Sequence, residues 1–248
     1  MNQELAGKVA IVTGAGRNIG RAIALDLAAG GAAVVVNARR NKQEAEAVVR
    51  DIEAGGGRAM QFLADVTDAS AVERMAKAAT ERFGRIDLVI NNAAVRREQS
   101  FEEMTLAEWR EILSIVLDGA FNCVKACLEQ LRHSGAGAVI NIGGLSARTG
   151  AKGRAHVVTA KSGIEGLTRA LAHDLADSGI TVNCLAPGTI ATTRAPGTQL
   201  PHRLTRLALV GRSGTSAEIA AAVRFLCGPG ARYITGQTIH VNGGAFLT

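Results

Sequence analysis

The sequence predicts an α/β fold: a doubly wound sheet of about seven mainly parallel strands with helices on both faces. Three observations predict it. Short apolar runs alternate with longer amphipathic stretches from end to end. Most of the short runs are continuously apolar rather than alternating, as in parallel strands buried on both faces. The chain has 248 residues, 47% of them hydrophobic, enough for one large α/β domain.

In chain order, the strand runs are Val9–Val12, Ala33–Asn37, Ala59–Leu63, Leu88–Asn91, Ala138–Ile142, Thr181–Leu185 and Thr238–Val241. Between them, helices are predicted near 19–30, 42–54, 69–83, 105–133, 155–178 and 216–227. Right-handed crossovers then gather the strand C-terminal ends on one edge, where ligands bind in such sheets. No repeat or linker interrupts the pattern, so 1–248 reads as a single domain. The least regular stretch, 189–216, contains Pro196, Gly197, Pro201 and Gly211. Its length suits a substrate-side loop or small helix inserted into the fold.

Composition narrows the function. There are 28 Lys plus Arg against 22 Asp plus Glu, a formal net charge of +6. From Ser178 to Thr248 the only acid is Glu218. The basic residues are dispersed and only 3% of residues are aromatic, which argues against nucleic acid. The apolar fraction excludes a disordered chain, and 29 unperiodic glycines exclude collagen. No apolar run reaches the roughly 18 residues of a membrane span. Met1–Gly7 has no charged-then-apolar leader, so a cytoplasmic location is expected. Cys123, Cys127, Cys184 and Cys227 lack CxxC or Cys/His spacing; they read as buried small hydrophobes, and no metal site is expected.

The first strand runs into Thr13-Gly14-Ala15-Gly16-Arg17-Asn18-Ile19-Gly20 and then a helix. Glycines let the backbone turn tightly and approach a pyrophosphate, whose charge is favoured at a helix N-terminus. Set between a buried strand and an amphipathic helix, this string points to a dinucleotide.

Here the chain resembles the short-chain dehydrogenase/reductase family, along its whole length and with the Rossmann-like sheet of that family. Residues 13–20 resemble its TGxxxGxG loop, with Asn18 at a position where glycine is usual; Asn tolerates positive φ better than other residues. Asp65-Val66 resembles the pair that receives the adenine, and Asn91-Asn92-Ala93-Ala94 the NNAG strand end. Pro187-Gly188 with Thr192 is similar to the PGxxxT segment over the nicotinamide. Ile234–Gln237 and Val241–Gly244 resemble the C-terminal signature. Family relatives commonly form tetramers, which implies a homotetramer here.

The dinucleotide type follows from charge. The family's acidic position, which selects NAD through the ribose hydroxyls, falls on Ala38. Arg39 and Arg40 follow it, and Arg17 lies in the glycine loop. Three guanidiniums without a carboxylate favour a 2′-phosphate and hence NADP(H) over NAD(H). The alternative is a solvated basic turn.

The family's acid–base set is mostly absent. It comprises an Asn in the fourth helix, a Ser after the fifth strand and a YxxxK pair. Aligned on Trp109 and Phe121, the Asn falls on Val116. Aligned on Asn141 and Lys161, the Ser falls on Gly144 and the Tyr on Val157. Only Lys161 is kept. An acid–base residue typically contributes about 10²–10⁴-fold in rate. Ser146 is a candidate substitute: on an extended backbone it would share a side with residue 144, although a turn serine is the plainer reading. His156 reads as packing, while Thr149 and Thr159 are unassisted hydroxyls. Lys161 is expected to bind the nicotinamide ribose, or to act as an acid if burial lowers its pKa.

The segments that bound the cleft are rich in cations: Arg96-Arg97; Arg148, Lys152 and Arg154; then Arg194, His202, Arg203, Arg206 and Arg212. A small anionic substrate is one reading, and rim arginines facing water or a partner subunit the other. Two functions follow. One is an NADP(H)-dependent oxidoreductase acting on a small, anionic carbonyl, imine or enone by an atypical site. The other is a catalytically inactive NADP(H)-binding homologue serving as redox sensor or helper subunit.

Overall fold

Seven strands lie side by side in a computed structural model that describes residues 3–193 and 208–247. They are β1 (Val9–Val12), β2 (Ala33–Ala38), β3 (Arg58–Leu63), β4 (Leu88–Asn91), β5 (Ala138–Ile142), β6 (Thr181–Pro187) and β9 (Thr238–Val241). All pair in parallel, in the order β3-β2-β1-β4-β5-β6-β9. The order in which the chain adds strands therefore reverses between β1 and β4, and that switch point opens the crevice where open α/β sheets bind ligands.

The strands' two-residue period sorts their side chains into two cores. Ala10, Val12, Val34, Val36, Leu88 and Ile90 face α1 (Asn18–Ala29), α2 (Lys42–Ala54) and a helix over Ser216–Cys227. Ile11, Val35, Val89 and Val139 face α3 (Ala69–Phe83), α5 (Gly119–Ser134) and α7 (Ala155–Leu175). Both faces are covered, which is why the strands read as unbroken apolar runs. The edge strand β3 is less buried, with Arg58 and Leu63 at its exposed positions.

Helix ends follow their capping residues. Asn41 and Asp68 accept from the backbone N–H groups of Glu44 and Ala71, each at 3.1 Å. Thr105 with Glu108 and Thr215 with Glu218 form capping boxes. On the face away from the crevice, buried Asp87 accepts from Val9 N, from Arg85 and from Ser134, tying β1, β4 and α5 together. Burial alone would raise its pKa, but those hydrogen bonds, with Lys8 nearby, hold it below the usual carboxylate range.

Two predicted elements differ. The helix expected over 105–133 is divided into α4 (Leu106–Leu113), a π-helical turn over Ser114–Asp118 and α5. One extra residue in the turn rotates the apolar stripe by about 100°, and the apolar residues on either side hide that break from a periodicity count. In the stretch 189–216, β7 (Ile190–Ala191) pairs in parallel with β8 (Gly214–Thr215), which leads into α8 (Ser216–Cys227). Its middle, 194–207, lies outside the described residues. The four-residue α6 (Ser146–Thr149) was not expected.

Candidate active site

The glycine loop is built by close backbone approach. Gly14 has φ +60°, and a Cβ there would stand 3.1 Å from Ala93 Cα. At Gly20 a Cβ would meet Gly14 O at 2.3 Å, so glycine is required where α1 packs under the loop. Thr13 Oγ1 donates to Ile90 O and accepts from the N–H groups of Asn92 and Ala93, fastening β1 to the end of β4. Asn92 Nδ2 donates to the carbonyls of Thr13 and Gly14. Unlike α2, α3, α4 and α8, α1 has no side-chain cap, and no acid lies in its first turn. Its N-terminal N–H groups thus face the loop ready for an anion.

Asn18 adopts φ +50°, the only positive-φ non-glycine among the described residues. Its side chain also spans the crevice: Oδ1 accepts from Thr193 N at 2.9 Å and Nδ2 donates to Thr193 O at 3.3 Å. This double bond joins the glycine loop to the segment after β6, beside Thr192. Pro187 O accepts from Leu145 N, and a Cβ on Gly188 would stand 2.7 Å from Asn242 Cα. The first ties that segment to the turn after β5, the second to the C-terminal turn.

At the end of β2, Asn37 fixes the adenosine side: Oδ1 accepts from Gly14 N and Nδ2 donates to the carbonyls of Phe62 and Ala64. Arg39 and Arg40 follow, both exposed, as is Arg17. Arg39 lies 4.0 Å from Asp65, which accepts from the N–H and hydroxyl of Thr67. Val66 packs against Gly119, where a Cβ would approach Val66 Cγ2 to 2.6 Å, and Val66 O accepts from Asn122 Nδ2.

The crevice between β4, β5 and α7 is lined by Thr13, Asn91, Val116, Ile142, Lys161 and Ile164, among others. Behind it runs a buried chain: Asn91 Nδ2 donates to Asn141 Oδ1, and Asn141 Nδ2 to Thr168 Oγ1, at 2.8 and 2.9 Å. Asn91 Oδ1 is buried without a partner, an acceptor left for a ligand hydroxyl or amide. Lys161 Nζ donates to Ile142 O at 2.5 Å. Burial brings Lys161 down from 10.5 to about 8, the neighbouring Cys184 acting the other way. Desolvation pushes the Cys184 thiol up to about 11.

The enoyl-(acyl carrier protein) reductase family model matches residues 14–245. The 3-oxoacyl-[acyl-carrier-protein] reductase FabG of Staphylococcus aureus is 41% identical over 242 residues, covering 97% of this chain and 98% of that protein. The chain belongs to the short-chain dehydrogenase/reductase family. A second reductase of that name, from Synechocystis, is 40% identical over 98% of each chain. Among solved family structures, a Burkholderia cenocepacia short-chain dehydrogenase in complex with NADP has TM-score 0.92 and 34% identity, covering 98% of this chain and 99% of its own. A blue fluorescent protein from a metagenomic library, in complex with NADPH, has TM-score 0.92 and 35% identity over 98% and 100% of the two chains. The expectation of NADP(H) is borne out by these neighbours. The family fold is that of the sequence reading, Rossmann-like and parallel throughout the main sheet.

Against the family frame, the structure brings the glycine loop, Asp65-Val66, Asn91, Ala93, Lys161 and Pro187-Gly188 to one edge of the sheet. Ser146 is different. Leu145 has φ −49° and ψ −40°, so residues 144–146 enter a helical turn rather than an extended strand. Residues two apart in a helix point about 200° from each other. The premise that Ser146 shares a side with Gly144 is therefore overturned, and Ser146 is not among the residues lining the crevice. His156 is fully buried in α7 with no hydrogen-bond partner for either ring nitrogen.

Four of the cleft arginines have acid partners: Arg97 pairs with Glu111 at 2.9 Å, Arg148 with buried Glu165 at 2.6 Å, Arg154 with Glu98, and Arg212 with Glu218 at 2.6 Å. Arg194, His202, Arg203 and Arg206 lie outside the described residues. Sequence reasoning passed over Asn141, Thr168, Glu165 and the carbonyl of Ile142. A buried Asn within an apolar strand was the one available signal.

Proposed function

We propose that the chain is an NADP(H)-dependent reductase of 3-oxoacyl thioesters held on an acyl carrier protein, working through an atypical proton-handling site. One observation carries the reading: Thr13 of the glycine loop, Asn91 of β4 and Lys161 of α7 converge on one crevice at the switch point. The relatives' names supply the substrate class.

The residues present fit the dinucleotide. The open N–H groups of α1, with Gly14, Gly16, Ile19 and Gly20 behind them, would hold the pyrophosphate. Arg17, Arg39 and Arg40 would hold the 2′-phosphate by charge-assisted hydrogen bonds. Asp65 and Val66 would border the adenine, Asn91, Ala93 and Lys161 the nicotinamide riboside, and Pro187, Gly188 and Thr192 its amide. When bound, the dinucleotide supplies the hydride. The chain positions the carbonyl and keeps water out with the apolar wall of Val116, Ile142 and Ile164. Assembly as a homotetramer belongs to the same reading. So does the placing of Val116, Gly144 and Val157 where relatives carry an Asn, a Ser and a Tyr.

An inactive NADP(H)-binding homologue is the second reading. It is supported by the crevice lining, in which the only hydroxyl among the described residues, that of Thr13, is already bonded to β4. The experiment measures NADPH and NADH binding by fluorescence, then turnover on an acetoacetyl thioester of acyl carrier protein. A Val116→Asn, Gly144→Ser, Val157→Tyr variant runs alongside. NADPH preference with native turnover supports the reductase. Tight binding with turnover only in the variant supports the inactive homologue, and binding of neither dinucleotide defeats both.

A further inference from the structure

Resting on the reductase reading above, we propose that Lys161 delivers the proton to the substrate oxygen itself, across the space left open at Gly144. Among the described residues that line the crevice, Lys161 carries the only ionisable group. Its ammonium has three donors and spends one on Ile142 O, at 2.5 Å, which leaves two for the crevice. The approach to it is clear. A Cβ added at Gly144 would find one atom within 4 Å, Lys161 Cγ at 3.9 Å. Val157 lies one helical turn before Lys161 on the same face of α7 and offers no hydroxyl to compete. Ser146 is not among the residues lining the crevice, and Cys184 keeps its proton to about pH 11.

The step balances. As the carbonyl carbon gains the hydride, the C=O π pair moves onto oxygen and the carbonyl is reduced by two electrons. The oxygen forms a bond to a proton leaving Nζ, and the N–H pair stays on nitrogen as a neutral amine. Water then reprotonates the amine. The apolar walls favour this order, because they make the charged ammonium the costlier form and so a willing acid. Few charges bear on the group. Cys184 of β6 is beside it, and Glu165, one turn further along α7, is neutralised by Arg148 of α6, with His240 of β9 nearby.

Two measurements test the proposal. In the dinucleotide-free chain, pH-dependent acylation of Lys161, read by mass spectrometry, should show a midpoint near 8; a midpoint near the ordinary 10.5 overturns it. In steady state, reduction should fall about tenfold for each pH unit above that midpoint. Lys161→Arg keeps the charge but holds its proton, so kcat should fall by about 10²-fold or more while the NADPH Kd changes by less than about tenfold. Lys161→Met should lose kcat equally. Native turnover that either variant retains within about threefold overturns the proton role and leaves the reductase reading standing. NADPH binding without native turnover overturns both.

Discussion

Replacing Lys161 by Met tests the energetics of the crevice without any substrate. Burial lowers the folded-state pKa from 10.5 to about 8. The folded chain therefore releases this proton before the unfolded chain does. Below about pH 8 both states are charged and the fold bears the whole desolvation cost; that cost fades as pH rises toward 10.5. The gap corresponds to a ceiling of about 3.4 kcal/mol. Because the side chain is only part-buried by exposed area, a realistic figure is about 1–3 kcal/mol. Against it stands the bond to Ile142 O, which Met cannot make, about 1 kcal/mol. Lys161→Met should thus stabilise the dinucleotide-free chain by about 0–2 kcal/mol near pH 6.5 and destabilise it by a few tenths of a kcal/mol near pH 10. Urea unfolding of both chains at the two pH values measures this, since every other titration cancels in the difference. A difference that does not change with pH refutes the reasoning, because it would mean that Lys161 is not desolvated.

Asn18→Gly removes both hydrogen bonds to Thr193 while relaxing a backbone at φ +50°. Unfolding stability should hardly move, but NADPH dissociation, followed by stopped-flow fluorescence, should quicken about 3–10-fold; an unchanged rate denies the strap its role. Asp87→Asn removes the buried charge that Arg85 and Ser134 bond, and should lower stability by about 3 kcal/mol or more at neutral pH. As the native carboxylate is held below its ordinary range, that advantage is lost as the pH falls through its folded value, and the two chains should converge in acid. A urea-derived loss under about 1 kcal/mol at neutral pH contradicts the assigned role.

How much was legible from the residues depends on the range over which each signal acts. β1, β4, β5 and β9 run over the expected residues because short apolar runs are local and are buried on both faces or at a sheet edge. The glycine loop was legible because its glycines form one local string between a strand and a helix, although the groups that crowd Gly14 and Gly20 include Asn92 and Ala93, far along the chain. The π-helical turn at Val116 was not, since one inserted residue leaves good helical pattern on each side. Nor was the state of the arginines. Glu165 lies 17 residues beyond Arg148, and only the packing of α6 on α7 joins them at 2.6 Å. A scarcity of acids along a segment says nothing of the acids that folding brings to it. Ser146 failed on a narrower point, because one short helical turn after β5 redirects the side chain.

The scaffold around the crevice is independent of the side chains that do the chemistry. The π-helical turn stands although its central residues are Ile115 and Val116, and the Asn91–Asn141–Thr168 chain stands without a catalytic hydroxyl before it. Val116 lines the crevice, and Val157 packs in the same apolar cluster. Their lack of polar atoms has an electrostatic effect. An amide, a hydroxyl and a phenol would solvate the ammonium of Lys161; two valines and a glycine do not, and the burial that lowers its pKa is the outcome. With no polar side chain at 116, 144 or 157, Lys161 is brought toward the pH at which it gives up a proton.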